Sequence, residues 1–517
     1  MPTLTIDGRE ITVEPGTRII EAADRLGIDV PRFCYHPGLS VAGNCRMCLV
    51  DTNRSPKPVA SCWDPCQDGH VVTTNSPRVL EARRGVLEHI LLNHPVDCPI
   101  CDQAGECELQ DLYFAHDAKP SRHGFNKHHK DKARVMGPQV VYDAERCINC
   151  TRCVRVCDEV AKSPQLVQVQ RGDRAFIDVF PGQPLDHPYS MCTADVCPVG
   201  ALTTRDFRFK CRSWLTHGIH TVCGECSRGC SIRADVYRNA VQRLVPRHNP
   251  SVNRYWACDS GRLAYHRFEA GRIEKMLVGQ LPVDAAQGLR ELAETLPAAA
   301  ARGLAVVLTP WMTCEDAWAV VTVLRGVAAD AVFSVGGNAP GGQDAILVCA
   351  DKNPNRNGLA LVLAGMGVVP VPVERVVESA SSLGALWVFG ADQAHAESLA
   401  GALRQVKLSV VTTAQEGQMA ASSRFVLPGL SSYETEGTWV NEAGVIQRVR
   451  RAILPAGEAR GYDAWASDLA DRLGVPLPCR DVAGRFAQVA LAVPSLAGLA
   501  LDAIGQHGVV LDKAVPR

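Results

Sequence analysis

Residues 147–157 read CINCTRCVRVC, and residues 197–202 read CPVGAL. Cys147-x2-Cys150-x2-Cys153-x3-Cys157 is the ligand spacing of one half of a two-cluster [4Fe–4S] pattern, in which the cysteine before proline serves the cluster of the other half. Cys197-Pro198 supplies that residue, so Cys147, Cys150, Cys153 and Cys197 are expected to hold one [4Fe–4S] cluster. A second cluster would need cysteines at 187, 190 and 193, where the chain has His187, Ser190 and Thr193. The second site has lost its ligands, which leaves Cys157 and Cys192 as remnants. The pattern predicts a degenerate ferredoxin-like α+β domain over 139–210.

Three further sets surround this stretch. Cys34-x10-Cys45-x2-Cys48-x13-Cys62 follows a predicted hairpin, TLTI-DG-REITV, and a helical segment near 17–26. Four thiolates on loops in that context suit a [2Fe–2S] cluster, with a turn at Gly43 that lets backbone N–H groups approach the sulfurs. A structural zinc site is the alternative. His94-x3-Cys98-x2-Cys101-x5-Cys107 fits a zinc site of three thiolates and one imidazole, or a [4Fe–4S] cluster with one imidazole ligand. Its place between two cluster-like sets favours the cluster, and a neutral imidazole would raise its potential. Cys223-x2-Cys226-x3-Cys230-x27-Cys258, followed by Asp259-Ser260-Gly261-Arg262, fits a third [4Fe–4S] cluster, with a zinc ribbon as the alternative. Cys66, Cys157, Cys192, Cys211, Cys314, Cys349 and Cys479 are left as core or surface residues.

The chain has 517 residues and a net charge of −1, so no charge excess points to nucleic acid or an anionic membrane. Nineteen of its 22 cysteines lie in the first 260 residues. Disulfide scaffolds suit short secreted domains, and MPTLTIDGRE has no basic stretch followed by an apolar core. A reducing compartment and metal-ligating cysteines are therefore expected. The apolar runs at 359–373 and 486–504 are broken by Gly, Pro, Gln or Asp, so no membrane span is predicted. Residues 77–93 carry helical periodicity, and 116–134, rich in His and Lys, read as a linker. Beyond 300, the runs GLAVVLT, AILVCA, ALWVFG and LSVVTT alternate with helix-like stretches, which predicts a parallel α/β sheet. No nucleotide motif and no nucleophile–base constellation stands out.

Taken together, the four sets in this order resemble the family of the large iron–sulfur subunit (the G subunit) of NADH:quinone oxidoreductase, respiratory complex I. The resemblance covers residues 1–270. The fourth set also resembles the opening of molybdopterin enzymes such as formate dehydrogenases, and DKNPNRNG (351–358) and PGLSSYETEGTWVNEAGVIQRVRR (428–451) resemble the remnant molybdopterin-type domain of the family. Only about 260 residues follow Cys258, so that domain is expected to be shortened and without molybdenum. The resemblance implies ferredoxin-like α+β domains followed by a molybdopterin-oxidoreductase-like α/β domain. The segments are 1–78 for [2Fe–2S], 79–118 for the histidine-ligated cluster, 139–210, 217–272 for the fourth set, and 273–517. It implies one [2Fe–2S] and three [4Fe–4S] clusters, no flavin, no molybdopterin and no substrate-converting site in this chain.

The implied partners are a flavin- and NADH-binding subunit, a small [2Fe–2S] subunit, a ferredoxin-like two-cluster subunit and other peripheral-arm subunits. The implied location is peripheral, on the cytoplasmic side of the bacterial inner membrane. Electrons would enter at the Cys34 set, pass to the Cys147 set and then the His94 set, with the Cys223 set off this route. The alternatives are the iron–sulfur subunit of an NAD-linked hydrogenase, a catalytic formate dehydrogenase, and a zinc-stabilised scaffold.

Overall fold

Asp7 and Gly8 take φ values of 45° and 79°, the left-handed pair that a tight hairpin demands, and Gly meets it without Cβ strain. Thr3–Ile6 and Arg9–Thr12 pair antiparallel around them. The hairpin enters a five-stranded sheet in which Val71–Thr73 lies between Thr3–Ile6, to which it runs parallel, and Leu49–Thr52. Helix Ile19–Arg25 buries Ile19, Ile20, Ala22 and Ala23 against this sheet's core of Leu4, Ile6, Val50 and Val72. Ser76 caps helix Pro77–Leu91 by accepting from Val79 N, with Pro77 at the first helical position, where its missing N–H costs nothing.

The computed structural model describes residues 1–117, 119–124, 126–390 and 394–511. Positions 118 and 125 of the predicted linker lie outside the described residues, as do 391–393 and 512–517. The chain divides into two compact units, Met1–Thr216 and His217–Arg517. In the first, Val140–Tyr142 pairs antiparallel with Leu202–Thr204, with Tyr142 opposite Leu202. That register carries the start of CINCTRC and the loop CPVGAL to the same end of the small sheet.

In the second unit, His217–Val222, Ser231–Tyr237 and Ala240–Pro246 form an antiparallel sheet. A seven-stranded sheet follows, in which Val332–Val335, Leu304–Leu308, Ala385–Phe389, Leu408–Thr413 and Phe425–Pro428 are successive parallel neighbours and two antiparallel strands complete one edge. Alternate residues serve opposite faces. Val306, Leu308, Trp387 and Val410 meet one helical layer; Ala305, Val307, Val388 and Val411 meet another. Burial on both faces explains the continuous apolar runs.

AILVCA is a correction. Residues 345–350 form no strand. Asp344 Oδ1 accepts from the N–H groups of Ile346, Leu347 and Val348 at 2.8, 2.8 and 3.0 Å, and this local bonding competes with a ladder. Among the described residues no helix is long and apolar enough to cross a membrane.

Candidate metal centres

The Cys34 set sits on loops around the five-stranded sheet, and Gly43 turns the loop with φ 63°. Cys34, Cys48 and Cys62 are buried. Cys34 N–H reaches Cys45 Sγ at 3.4 Å. The four thiols face one another, Cys45 and Cys62 beside Cys34, and Cys62 also beside Cys48. The bonds from Cys45 and Cys62 pull Cys34 down to about 2, and the bond from Cys62 pulls Cys48 to about 6, while their donors are held protonated. Cys66 stays outside this chain, pushed up to about 11 by burial.

Cys147, Cys150, Cys153 and Cys197 line one enclosed cavity with Tyr142, Ile148, Ile177, Val199 and Leu202. The short helix Arg152–Arg155 positions Cys153, and Thr151, with φ 60°, turns the chain into it. Burial raises all four thiols, Cys150 to about 12 and Cys197 to about 11. These four thiols are the residues that would hold a metal there, which would take the place of their protons. Cys157 does not line the cavity. Its thiol lies 3.4 Å from His187 Nε2, at the position where the spacing shows a ligand lost.

The His94 set is more open. His94, Cys98 and Cys107 line a cavity of about 920 Å³, and Cys98 is exposed. His94 is pulled down to about 4 by burial first, then by the charges of Lys127 and Arg146, so its imidazole is neutral at physiological pH and able to offer a lone pair. Its Nδ1 is buried without a hydrogen-bond partner. Cys101 faces the loop 197–202. A Cβ on Gly200 would stand 2.2 Å from Cys101 Sγ, so only glycine fits there. Pro198 O accepts from Glu108 N at 3.0 Å and lies 3.9 Å from Cys107 Sγ.

In the second unit, the Cys223–Cys230 loop joins the first two strands of the three-stranded sheet, and Cys258 begins the short helix Asp259–Leu263. A Cβ on Gly261 would lie 3.1 Å from Cys223 Sγ and 3.3 Å from Cys258 Sγ, so those thiols converge over this glycine. The segments 351–358 and 428–451 grip the ligand loop. Asp351 O accepts from Ser227 N at 2.9 Å, Asn441 Nδ2 donates to Arg228 O at 3.0 Å, and Gln447 Nε2 donates to Gly229 O at 2.8 Å.

Cys349, set aside on spacing, lies against this loop. Its thiol and backbone N–H hydrogen-bond Cys226, which is pulled to about 6, and its thiol also reaches Glu442 Oε1 at 2.9 Å. Only the fold signals this contact. Cys314 packs in the α/β core against Asn355. Among the described residues no three His, Cys, Asp or Glu side chains draw together tightly enough to grip a single ion.

Residues 1–77 match the 2Fe-2S iron-sulfur cluster binding domain, and 83–122 match the NADH-ubiquinone oxidoreductase-G iron-sulfur binding region. Residues 137–203 match the ferredoxin-like domain of NADH-quinone oxidoreductase subunit 3, 216–269 the molybdopterin oxidoreductase Fe4S4 domain, and 293–471 molybdopterin oxidoreductase. The chain is 41% identical to the G subunit of the NADH-quinone oxidoreductase of Streptomyces coelicolor over 326 residues, 61% of this chain and 38% of that protein. It is 36% identical to the corresponding G subunit of Rickettsia felis over 63% of this chain and 49% of that protein. It is 42% identical to the NADH-ubiquinone oxidoreductase 75 kDa subunit of Reclinomonas americana over 54% of this chain and 40% of that protein. The chain thus spans less than half the length of each of these relatives. It carries 2Fe–2S and 4Fe–4S binding domains.

The crevice at the carboxyl ends of the parallel strands is lined by Thr309, Trp311, Gly390, Thr413 and Tyr462 and encloses about 70 Å³ among the described residues. Neither Cys314 nor Cys349 lines it.

Proposed function

We propose that this chain, whose cysteine-rich half is homologous to the G subunit of NADH-quinone oxidoreductases, is an iron–sulfur electron-transfer subunit of an NADH:quinone oxidoreductase. It holds one [2Fe–2S] cluster on Cys34, Cys45, Cys48 and Cys62. Its three [4Fe–4S] clusters sit on His94, Cys98, Cys101 and Cys107, on Cys147, Cys150, Cys153 and Cys197, and on Cys223, Cys226, Cys230 and Cys258. It holds no flavin and no molybdopterin. Such clusters supply one-electron redox chemistry when bound. The chain's own residues decide which sites are neighbours and which are kept from water.

One observation carries the reading. In the first unit the three sets share backbone in an order unlike their order in sequence. Asn44 Nδ2 donates to Asn149 O at 3.4 Å, which joins the Cys34 loop to the Cys147 loop. Cys197 serves the Cys147 set, while Pro198 and Gly200 of the same loop pack on Cys107 and Cys101. The Cys147 set therefore stands between the other two, which supports the order Cys34 set, Cys147 set, His94 set.

The chain takes electrons from a flavin- and NADH-binding partner beside a small [2Fe–2S] subunit. It delivers them to a ferredoxin-like two-cluster partner, peripheral on the cytoplasmic side of the bacterial inner membrane. The test is Cys157→Ala against Cys197→Ala, read by iron content and low-temperature EPR. The wild type is expected to hold about fourteen irons, the content of one [2Fe–2S] and three [4Fe–4S] clusters. Cys157→Ala is expected to keep every signal and Cys197→Ala to lose one [4Fe–4S] signal. The reverse outcome refutes the assignment.

A further inference from the structure

We propose that Arg155 is a fixed counter-charge shared by the Cys34 and Cys147 sites, raising the reduction potential of both. This deepens the proposed function and rests on its ligand assignment. Arg155 lies on the short helix Arg152–Arg155 with 8% of its surface exposed. One terminal nitrogen donates to Cys34 O at 2.6 Å and to Cys150 O at 3.3 Å, and the other donates to Ser40 O. Its Nε–H is buried without a partner. Among the described residues its partners are backbone carbonyls, with no carboxylate.

A guanidinium keeps its charge, and a buried charge without an opposite charge is costly. Carbonyl dipoles offset only part of that cost. Two of the three carbonyls that grip Arg155 belong to a proposed ligand of each site, so thiolate-bound clusters there would place negative charge on both sides of it. A nearby positive charge stabilises the more negative, reduced state of each site and so raises its potential.

Arg152 supplies the contrast. It is 4% exposed and donates to Tyr35 O at 2.8 Å and Val196 O at 3.2 Å. It also pairs with the Glu108 carboxylate at 2.9 Å. Arg152 thus has a carboxylate in direct contact, whereas the carboxylate near Arg155, that of Glu159, is engaged by Ser40 N and Oγ, and Arg155 itself meets the Ser40 carbonyl.

The experiment is an EPR-monitored redox titration of the cluster-loaded full chain, with iron analysis, for Arg155→Gln, Arg155→Lys and Arg152→Gln. Arg155→Gln is expected to lower the midpoint of the [2Fe–2S] site and of the Cys147 site by at least about tenfold in reduction equilibrium, which is 59 mV for one electron. The His94 and Cys223 sites should not move. Arg155→Lys keeps the charge and should recover most of the shift, and Arg152→Gln should shift both midpoints less than Arg155→Gln. Unchanged midpoints in Arg155→Gln with all signals present overturn the proposal, as does an equal shift in Arg155→Lys. If Arg155→Gln does not retain clusters, Arg155→Lys decides: midpoints near wild type support the charge role, and a large shift refutes it. Failure of the underlying assignment looks different, because Cys150→Ser would then leave every wild-type signal in place.

Discussion

Cys349 belongs to no ligand spacing, and its value lies in what it touches. Its N–H and thiol both bond Cys226, and Glu442 ties the same patch to the ligand loop through Ser227, whose Oγ donates to Glu442 Oε2 at 3.0 Å. Hydrogen bonds to a ligand sulfur raise a cluster's potential. Cys349→Ala should therefore lower the midpoint of the Cys223 site by EPR titration while iron content stays at the wild-type level. A fall in iron would show Cys349 to be a ligand instead. His94 makes the complementary point: the sequence places an imidazole near three thiols, but burial beside Lys127 and Arg146 is what keeps it neutral, the form in which an imidazole can offer a lone pair.

At the scale of elements, the loop 197–202 does the work of two sites. Its cysteine faces the Cys147 cavity and its glycine makes room for Cys101. Gly200→Ala would drive a methyl group into Cys101 Sγ and against Gln103 Cβ, 3.1 Å away. Overpacking of this kind costs roughly 1–3 kcal/mol. The expected outcome is loss of the His94-set signal with the Cys34 signal kept, read by EPR. Equal loss at both sites would show general unfolding instead. The four-cysteine run was legible because ligand spacing is local in sequence. Arg152 and Arg155, which sit inside that run, gave no such signal, because their partners lie on loops far away in the chain.

At the scale of the whole molecule, the α/β half stores a pH dependence. Glu315 is fully buried and accepts from Thr438 N at 2.9 Å, with its other oxygen 3.0 Å from Thr438 Oγ1. Burial pushes its carboxyl from 4.5 to about 7. Below about pH 4.5 it is protonated in both folded and unfolded chains and costs nothing. As pH rises toward 7 the unfolded chain releases the proton first, so stability falls, by about 3 kcal/mol once both states are ionised. Glu315→Gln keeps both hydrogen bonds without the charge. It should leave the chain's unfolding midpoint near wild type at about pH 5 and raise it at about pH 8, by thermal denaturation. A difference independent of pH contradicts this. The same half also braces the Cys223 loop through Asn441 and Gln447.

The sequence by itself pointed to the hairpin at Asp7-Gly8, which Thr3–Ile6 and Arg9–Thr12 form, and to the parallel sheet of the second unit, and it supplied the spacings from which the four ligand sets are proposed, because each is written in spacings of a few residues or in a repeating apolar period. It misled at AILVCA, where a single Asp344 side chain outcompetes strand pairing. Tertiary structure alone decided that Cys349 meets Cys226, that Arg155 lies between two ligand carbonyls, and that the Cys147 set stands between its neighbours. Those facts depend on which distant backbone groups a buried side chain must satisfy, and no local spacing encodes them.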